Sequence, residues 1–201
     1  MDTSKVIDMR FILLWCCIIM EVVHGRNNAV DLNPKAVEKW YDKMASADGR
    51  KLTKLHLYSR EIASGGNPTV VQIARWANNT DTGIIAFGRT VVVDDTLASE
   101  SYKIIGRVQG IYSWTTSTPQ TAEDGPASTG VFSMVFTQGE YKGSTISLLC
   151  NDPIFPKYRE LPVVGGSGIF RLAQGSVIEE TISGAPNGDA LVKFTAFIVH
   201  Y

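Results

Sequence analysis

The sequence predicts an all-β protein, an eight-stranded antiparallel β-barrel preceded by a short N-terminal arm. Three observations carry this expectation. From Lys54 onward, apolar and polar residues alternate with a period of two, in runs bounded by Gly, Pro and Asn. Helical spacing is almost absent after Gly49. Glycines also sit inside the long runs, where a strand curving toward closure needs them. The strand spacing alone fits an antiparallel sandwich or a barrel; the interior glycines favour the barrel, which leaves no free sheet edge and with eight strands encloses side chains or one small ligand.

At the front of the chain, Lys5 and Arg10 precede an unbroken apolar run from Phe11 to Met20. A bilayer span needs about 20 such residues. The run instead matches the apolar segment of a secretory leader, with Val23 and Gly25 small enough for the positions before the cut. Residues 1–25 therefore read as a removable signal peptide, and the protein as secreted, with no membrane attachment afterwards. Cys16 and Cys17 leave with the leader, so Cys150 is the one mature cysteine and no intrachain disulfide forms. Cys150 reads as a buried thiol at a strand end; a bridge between chains is the other option.

Residues 26–50 form the arm, with one short helix. Asn33 caps it, Pro34 suits its first position, and Val37, Trp40, Tyr41 and Met44 recur at helical spacing. Such a stripe packs on a domain. Residues 51–201 make the barrel. Leu55, Leu57, Ser59, Glu61 and Ala63 share one face of a first strand, which ends at Ser64-Gly65-Gly66 and resumes over Val70–Arg75. Ala77 to Gly83 is a polar turn. It carries Asn78-Asn79-Thr80, an N-glycosylation acceptor pattern at Asn78 that a secreted chain can use. Ile84–Asp95 and Tyr102–Trp114 are the next two strands. In the second of them, Gly106 and Gly110 signal tight curvature or a close approach.

Gln120–Gly130 reads as a loop, and Val131–Thr137 with Thr145–Asn151 as a hairpin. Cys150–Gly175 contains Pro153, Pro156 and Pro162, residues that cannot donate to a ladder, so it reads as a loop crossing between strands. Its Asp152 and Arg159 are either a solvated loop pair, worth little, or two groups pointing into a cavity. Gly165-Gly166-Ser167-Gly168 fits no phosphate-loop pattern and reads as a tight turn. Phe170–Ser183 and Leu191–Tyr201 close the sheet. Asp94-Asp95 reads as a turn-end pair, and His56 and His200 as structural. The formal net charge is −1 and no basic stripe is present, which argues against a nucleic-acid partner. No CxxC or HxxxH spacing exists, which argues against a structural metal.

The segments LHLYSREIASGGNPTVV, FGRTVVVDD, IIGRVQGIY, MVFTQGEYKGSTISLL, NDPIFPKYRELPVVGGSGIFRLAQG and FIVHY resemble plant dirigent proteins, in the same order, over Leu52 to Tyr201. The cysteine-poor mature chain is similar to the branch outside the pinoresinol-forming group. The resemblance implies an eight-stranded barrel, an apoplastic location, a homo-oligomer (dimer or trimer) and no cofactor. It implies stereochemical control of phenoxy-radical coupling in phenylpropanoid or lignan-type biosynthesis, with the radicals made by a separate laccase or peroxidase. Two alternatives come with it. One is a pterocarpan-synthase-type isoflavanol dehydratase acting through a quinone methide; the other is a non-catalytic phenolic-binding defence or cell-wall protein.

By the same resemblance, Asp152 stands at the family's active carboxylate, Arg159 at its arginine partner, Thr181 at a cavity hydroxyl and Tyr112 at a cavity tyrosine. Many relatives carry His-Asp-Ile where this chain carries Arg60-Glu61-Ile62, so the carboxylate role passes to Glu61. Its extra methylene changes the reach by about 1.5 Å. Tyr112, Trp114 and Phe132 are aromatic groups suited to line a cavity for phenols. A quinone methide needs an acid at its oxygen and a base for the closing hydroxyl.

Overall fold

The computed structural model describes residues 31–45, 50–77, 83–117 and 125–201. The expected leader and Asn78 lie outside the described residues. Helix α1 spans Pro34–Ala45. The Lys35 amide donates to Asn33 Oδ1 at 3.0 Å, so Asn33 caps the helix as its sequence position predicts.

Among the described residues, nine strands follow: β1 Lys51–Glu61, β2 Val70–Ala74, β3 Thr90–Ser99, β4 Ile104–Trp114, β5 Ala127–Phe136, β6 Thr145–Pro153, β7 Arg159–Ser167, β8 Gln174–Gly184 and β9 Ala190–His200. All pairings are antiparallel, in the order β1-β9-β8-β7-β6-β5-β4-β3-β2. Strand β3 pairs with β2 through its first half and with β1 through its second, from Thr96 to Ser99. Strands β1 and β2 thus make one interrupted stave, and the sheet closes as a barrel of eight staves, as the alternation predicts.

Inward positions at one end form the main core, with Leu97, Met134, Phe136, Ile146 and Ile198 fully buried. A single 3₁₀ turn, Gly168–Phe170, plugs that end with Phe170. The Phe170 ring lies 5.7 Å from Phe136, 5.1 Å from Tyr141 and 5.4 Å from His200. His200 is structural, its Nε2 2.8 Å from Thr53 Oγ1. Outside the barrel, Val37 and Tyr41 of α1 cover Phe197 and Val199 of β9. Tyr41 stacks on Phe197 at 5.5 Å and donates to Ser176 Oγ at 3.0 Å. Burying each of these helix side chains contributes roughly 1.5–3 kcal/mol.

The close approach signalled by Gly106 and Gly110 is present. A Cβ at Gly110 would lie 2.2 Å from the Val131 carbonyl oxygen and 2.7 Å from the Phe132 ring. The glycine lets β5 bring Phe132 over β4. On the outer surface, register aligns Val71, Val92, Ile111, Val131 and Leu149 across five strands, all exposed. Polar rows flank this apolar row: Asp94, Gln109, Ser133 and Ser147 on one side, Thr90, Ser113, Thr129 and Asn151 on the other.

Five expectations are corrected. The strand expected over Ile84–Asp95 starts only at Thr90, because Gly88 at φ 78° and the Arg89 amide bonded to the Ala86 carbonyl form a turn. Strand β5 begins at Ala127, inside the expected loop. The expected loop Cys150–Gly175 holds β7, which pairs with β8 from Arg159 to Val163. Pro162 is tolerated next to β6 because that ladder covers only Val163–Ser167. Gly165, Gly166 and Ser167 are strand residues, and the turn starts at Gly168. Finally, Asp94 and Asp95 stand in mid-strand, not at a turn, and point to opposite faces. Asp94 pairs outside with Arg107; Asp95 points inward and is 1% exposed.

Candidate functional site

The barrel end opposite Phe170 is open and contains a cavity of about 140 Å³. An apolar cavity of that size accepts one benzene ring. Val93, Val108, Leu148, Leu161 and Phe194 line its depth, and Tyr112, Trp114 and Phe132 form an aromatic wall. Tyr112 lies 6.0 Å from Trp114, edge-on, and 6.1 Å from Phe132. These three are the aromatic residues expected from sequence, on β4 and β5. A vestibule of about 270 Å³ adjoins the cavity and shares Glu61, Tyr112, Trp114, Ile154 and Thr181 with it.

Polar groups converge on this apolar bed. Strand β1 supplies Glu61, β6 Asp152, β7 Arg159 and β8 Thr181, so the structure brings together every site residue expected from sequence apart from Asn78. It adds two carboxylates the sequence reading left out: Asp95 from β3 and Glu179 from β8. Their inward alternation was the available signal, since Asp95 follows Val91 and Val93 at period two, and Glu179 follows Val177.

Arg159 is the one cation among the described residues lining the cavity, against four carboxylates. Its Nε lies 2.7 Å from Asp152 Oδ1, a close ion contact whose angle is too poor for a hydrogen bond. One terminal nitrogen donates to Glu179 Oε1 and the other to Thr181 Oγ1 at 3.0 Å. Asp152 and Arg159 are therefore a cavity pair, not a solvated loop pair. Asp95 accepts from Thr69 Oγ1, which itself accepts from the Ile62 amide at 2.9 Å.

Burial sets the protonation of this group. It pushes Glu61 up to about 8, helped by the negative charges of Asp95, Glu179 and Asp152 and opposed by Arg159. It pushes Asp152 up to about 7, helped by Glu179 and opposed by Arg159. Asp95 rises to about 7 for the same first reason, against its Thr69 hydrogen bond. Cys150, buried in the same wall, is pushed up to about 12 by burial and then by Asp152 and Glu179, so its thiol stays protonated. The arrangement offers proton-carrying acids at neutral pH beside an aromatic slot, which suits acid/base chemistry on a neutral aromatic ligand. Ser59 Oγ and Trp114 Nε1 are buried without a protein partner and face the same space. Among the described residues, no group of three His, Cys, Asp or Glu side chains is arranged to hold a metal ion.

Residues 52–199 match the family profile described as Dirigent-like protein. Dirigent protein 1 of Arabidopsis thaliana is 41% identical over 153 residues, covering 75% of this chain and 80% of that one. Pterocarpan synthase 1 of Glycyrrhiza echinata is 34% identical over 156 residues, covering 75% and 79%. A solved structure of a pterocarpan synthase dirigent protein superposes with a TM-score of 0.67 at 33% identity, covering 76% of this chain and 92% of that one.

Proposed function

This chain belongs to the dirigent-like family, and from that premise we propose that its barrel binds phenol-derived radicals or a quinone methide and fixes the handedness of the product. The observation that carries this reading is one cavity uniting the aromatic wall of Tyr112, Trp114 and Phe132 with the buried acids Glu61 and Asp152. The wall holds a phenolic ring in one orientation. Asp152, carrying a proton, polarises the quinone methide oxygen. Glu61, from the opposite side of the mouth, takes the proton of the closing hydroxyl in its ionised form, which its value of about 8 leaves as a minor fraction at neutral pH. Arg159 orients Asp152. A separate laccase or peroxidase supplies the radicals in an extracellular, lignan-type setting.

A second reading is dehydration of an isoflavanol, the pterocarpan-synthase type. Its support is the pair of acids that hold protons near neutrality, because loss of water needs a proton at the leaving hydroxyl. The deciding experiment incubates the protein with racemic isoflavanols alone, and with monolignols plus a one-electron oxidant, and reads the products by chiral chromatography. Enantiomeric enrichment only with oxidant supports the coupling reading. Conversion without oxidant replaces it with the dehydratase. Racemic or absent product in both arms overturns both and leaves phenolic binding alone.

The working form in this reading is a homo-oligomer. Its support is the exposed apolar row from Val71 to Leu149 between two polar rows, a band on the outer wall that another copy can cover with the same residues.

A further inference from the structure

Glu179 has no role in the mechanism above, yet it stands directly opposite Arg159 in the β7–β8 register, with both side chains turned inward. The guanidinium lies between two carboxylates and can neutralise one of them. Its aligned hydrogen bond goes to Glu179. Its approach to Asp152, at 2.7 Å, lacks that alignment. Burial raises Glu179 too, but the charge and the aligned hydrogen bond of Arg159 act downward on it, which favours the single negative charge of the pair on Glu179.

We propose that Glu179 is a positioning residue: it occupies the charge of Arg159, so that Asp152 keeps a proton at neutral pH and serves as the acid of the site. The inference rests on the acid role given to Asp152 above.

The surroundings of Asp152 agree. Glu61 on β1, Asp95 on β3, Tyr112 on β4 and Cys150 on β6 itself are the other titratable groups lining the cavity. Strand β5 sets Ser128 opposite Asp152, and β9 contributes Ala190, Val192 and Phe194. Every titratable neighbour except Arg159 is an acid. Arg159 is therefore the one group able to pull the proton off Asp152, and whether its charge is already taken decides the matter. Burial and the Glu179 charge act upward on Asp152, and Arg159 acts downward.

The test follows the Asp152 carboxyl carbon by NMR in full-length protein with ¹³C-labelled Asp, assigned with Asp152→Asn. In Glu179→Gln the guanidinium is left to Asp152. The Asp152 titration midpoint should fall by at least about one unit, a tenfold rise in its acid dissociation constant. Glu179→Asp keeps the charge and should hold the midpoint near the wild-type value; it carries the test alone if the Gln variant does not fold. An unchanged midpoint in Glu179→Gln, or an equally large fall in Glu179→Asp, assigns Glu179 to packing and overturns the proposal. This readout is a titration rather than a product ratio. A failed stereochemical assay therefore removes the acid role but leaves the sharing of charge between Arg159 and Glu179 intact, and a failed titration leaves the stereochemical reading intact.

Discussion

Arg159 and Glu179 face each other directly across the β7–β8 ladder, and the guanidinium that joins them also lies 2.7 Å from Asp152. A buried cation shared by two buried carboxylates is a poor source of stability compared with apolar packing. Its retention at the head of an aromatic cavity fits a chemical role.

Asp152→Asn should abolish enantiomeric enrichment and leave the fold intact. Arg159 keeps its bonds to Glu179 and Thr181, so no buried charge is stranded. Chiral chromatography and circular dichroism check the two halves. Unchanged enantiomeric excess removes Asp152 from the mechanism.

Arg159→Leu should be the most destabilising of these changes. It leaves the Glu179 charge buried without a counter-charge, a loss of roughly 3–5 kcal/mol near neutral pH. The loss should shrink in acid, where Glu179 takes up a proton. Denaturant titration at two pH values reads the difference.

Glu61→Gln should change how stability depends on pH. The folded-state value for Glu61 is about 8, above its ordinary value of 4.5. The wild-type contribution is therefore fully present below about 4.5 and lost as pH rises through about 8. Gln carries no such dependence. The variant should gain on wild type across that window by an amount on the order of a few kcal/mol. A stability difference constant from pH 4 to 9 would show that Glu61 titrates as an exposed group.

Val131→Lys or Leu149→Lys should convert an oligomer to single chains. Both residues sit within the apolar row, and a lysine there sets a charge against the facing copy. Sedimentation velocity reads the mass. An unchanged mass locates the interface elsewhere.

The fold was legible because the barrel repeats one local rule, inward and outward alternation, over long strands such as β1, β4 and β9. The misreadings fall where local rules conflict with pairing. Pro162 reads as a strand breaker, yet β7 lies beyond the β6 ladder at that position. Ile84 and Ile85 read as strand, yet Gly88 turns the chain before Thr90. A carboxylate in a strand ordinarily faces water, and only the register puts Arg159 across from Glu179.

By itself the sequence determined the barrel, every stave but β7, its aromatic wall and the family, because alternation, turn residues and motif order are written along the chain. Only the tertiary structure decided which charges share a cavity. Glu61 of β1 and Asp95 of β3 lie far in sequence from Asp152, Arg159 and Glu179 of β6, β7 and β8. Their protonation depends on burial and on mutual distance, and closure of the barrel creates both.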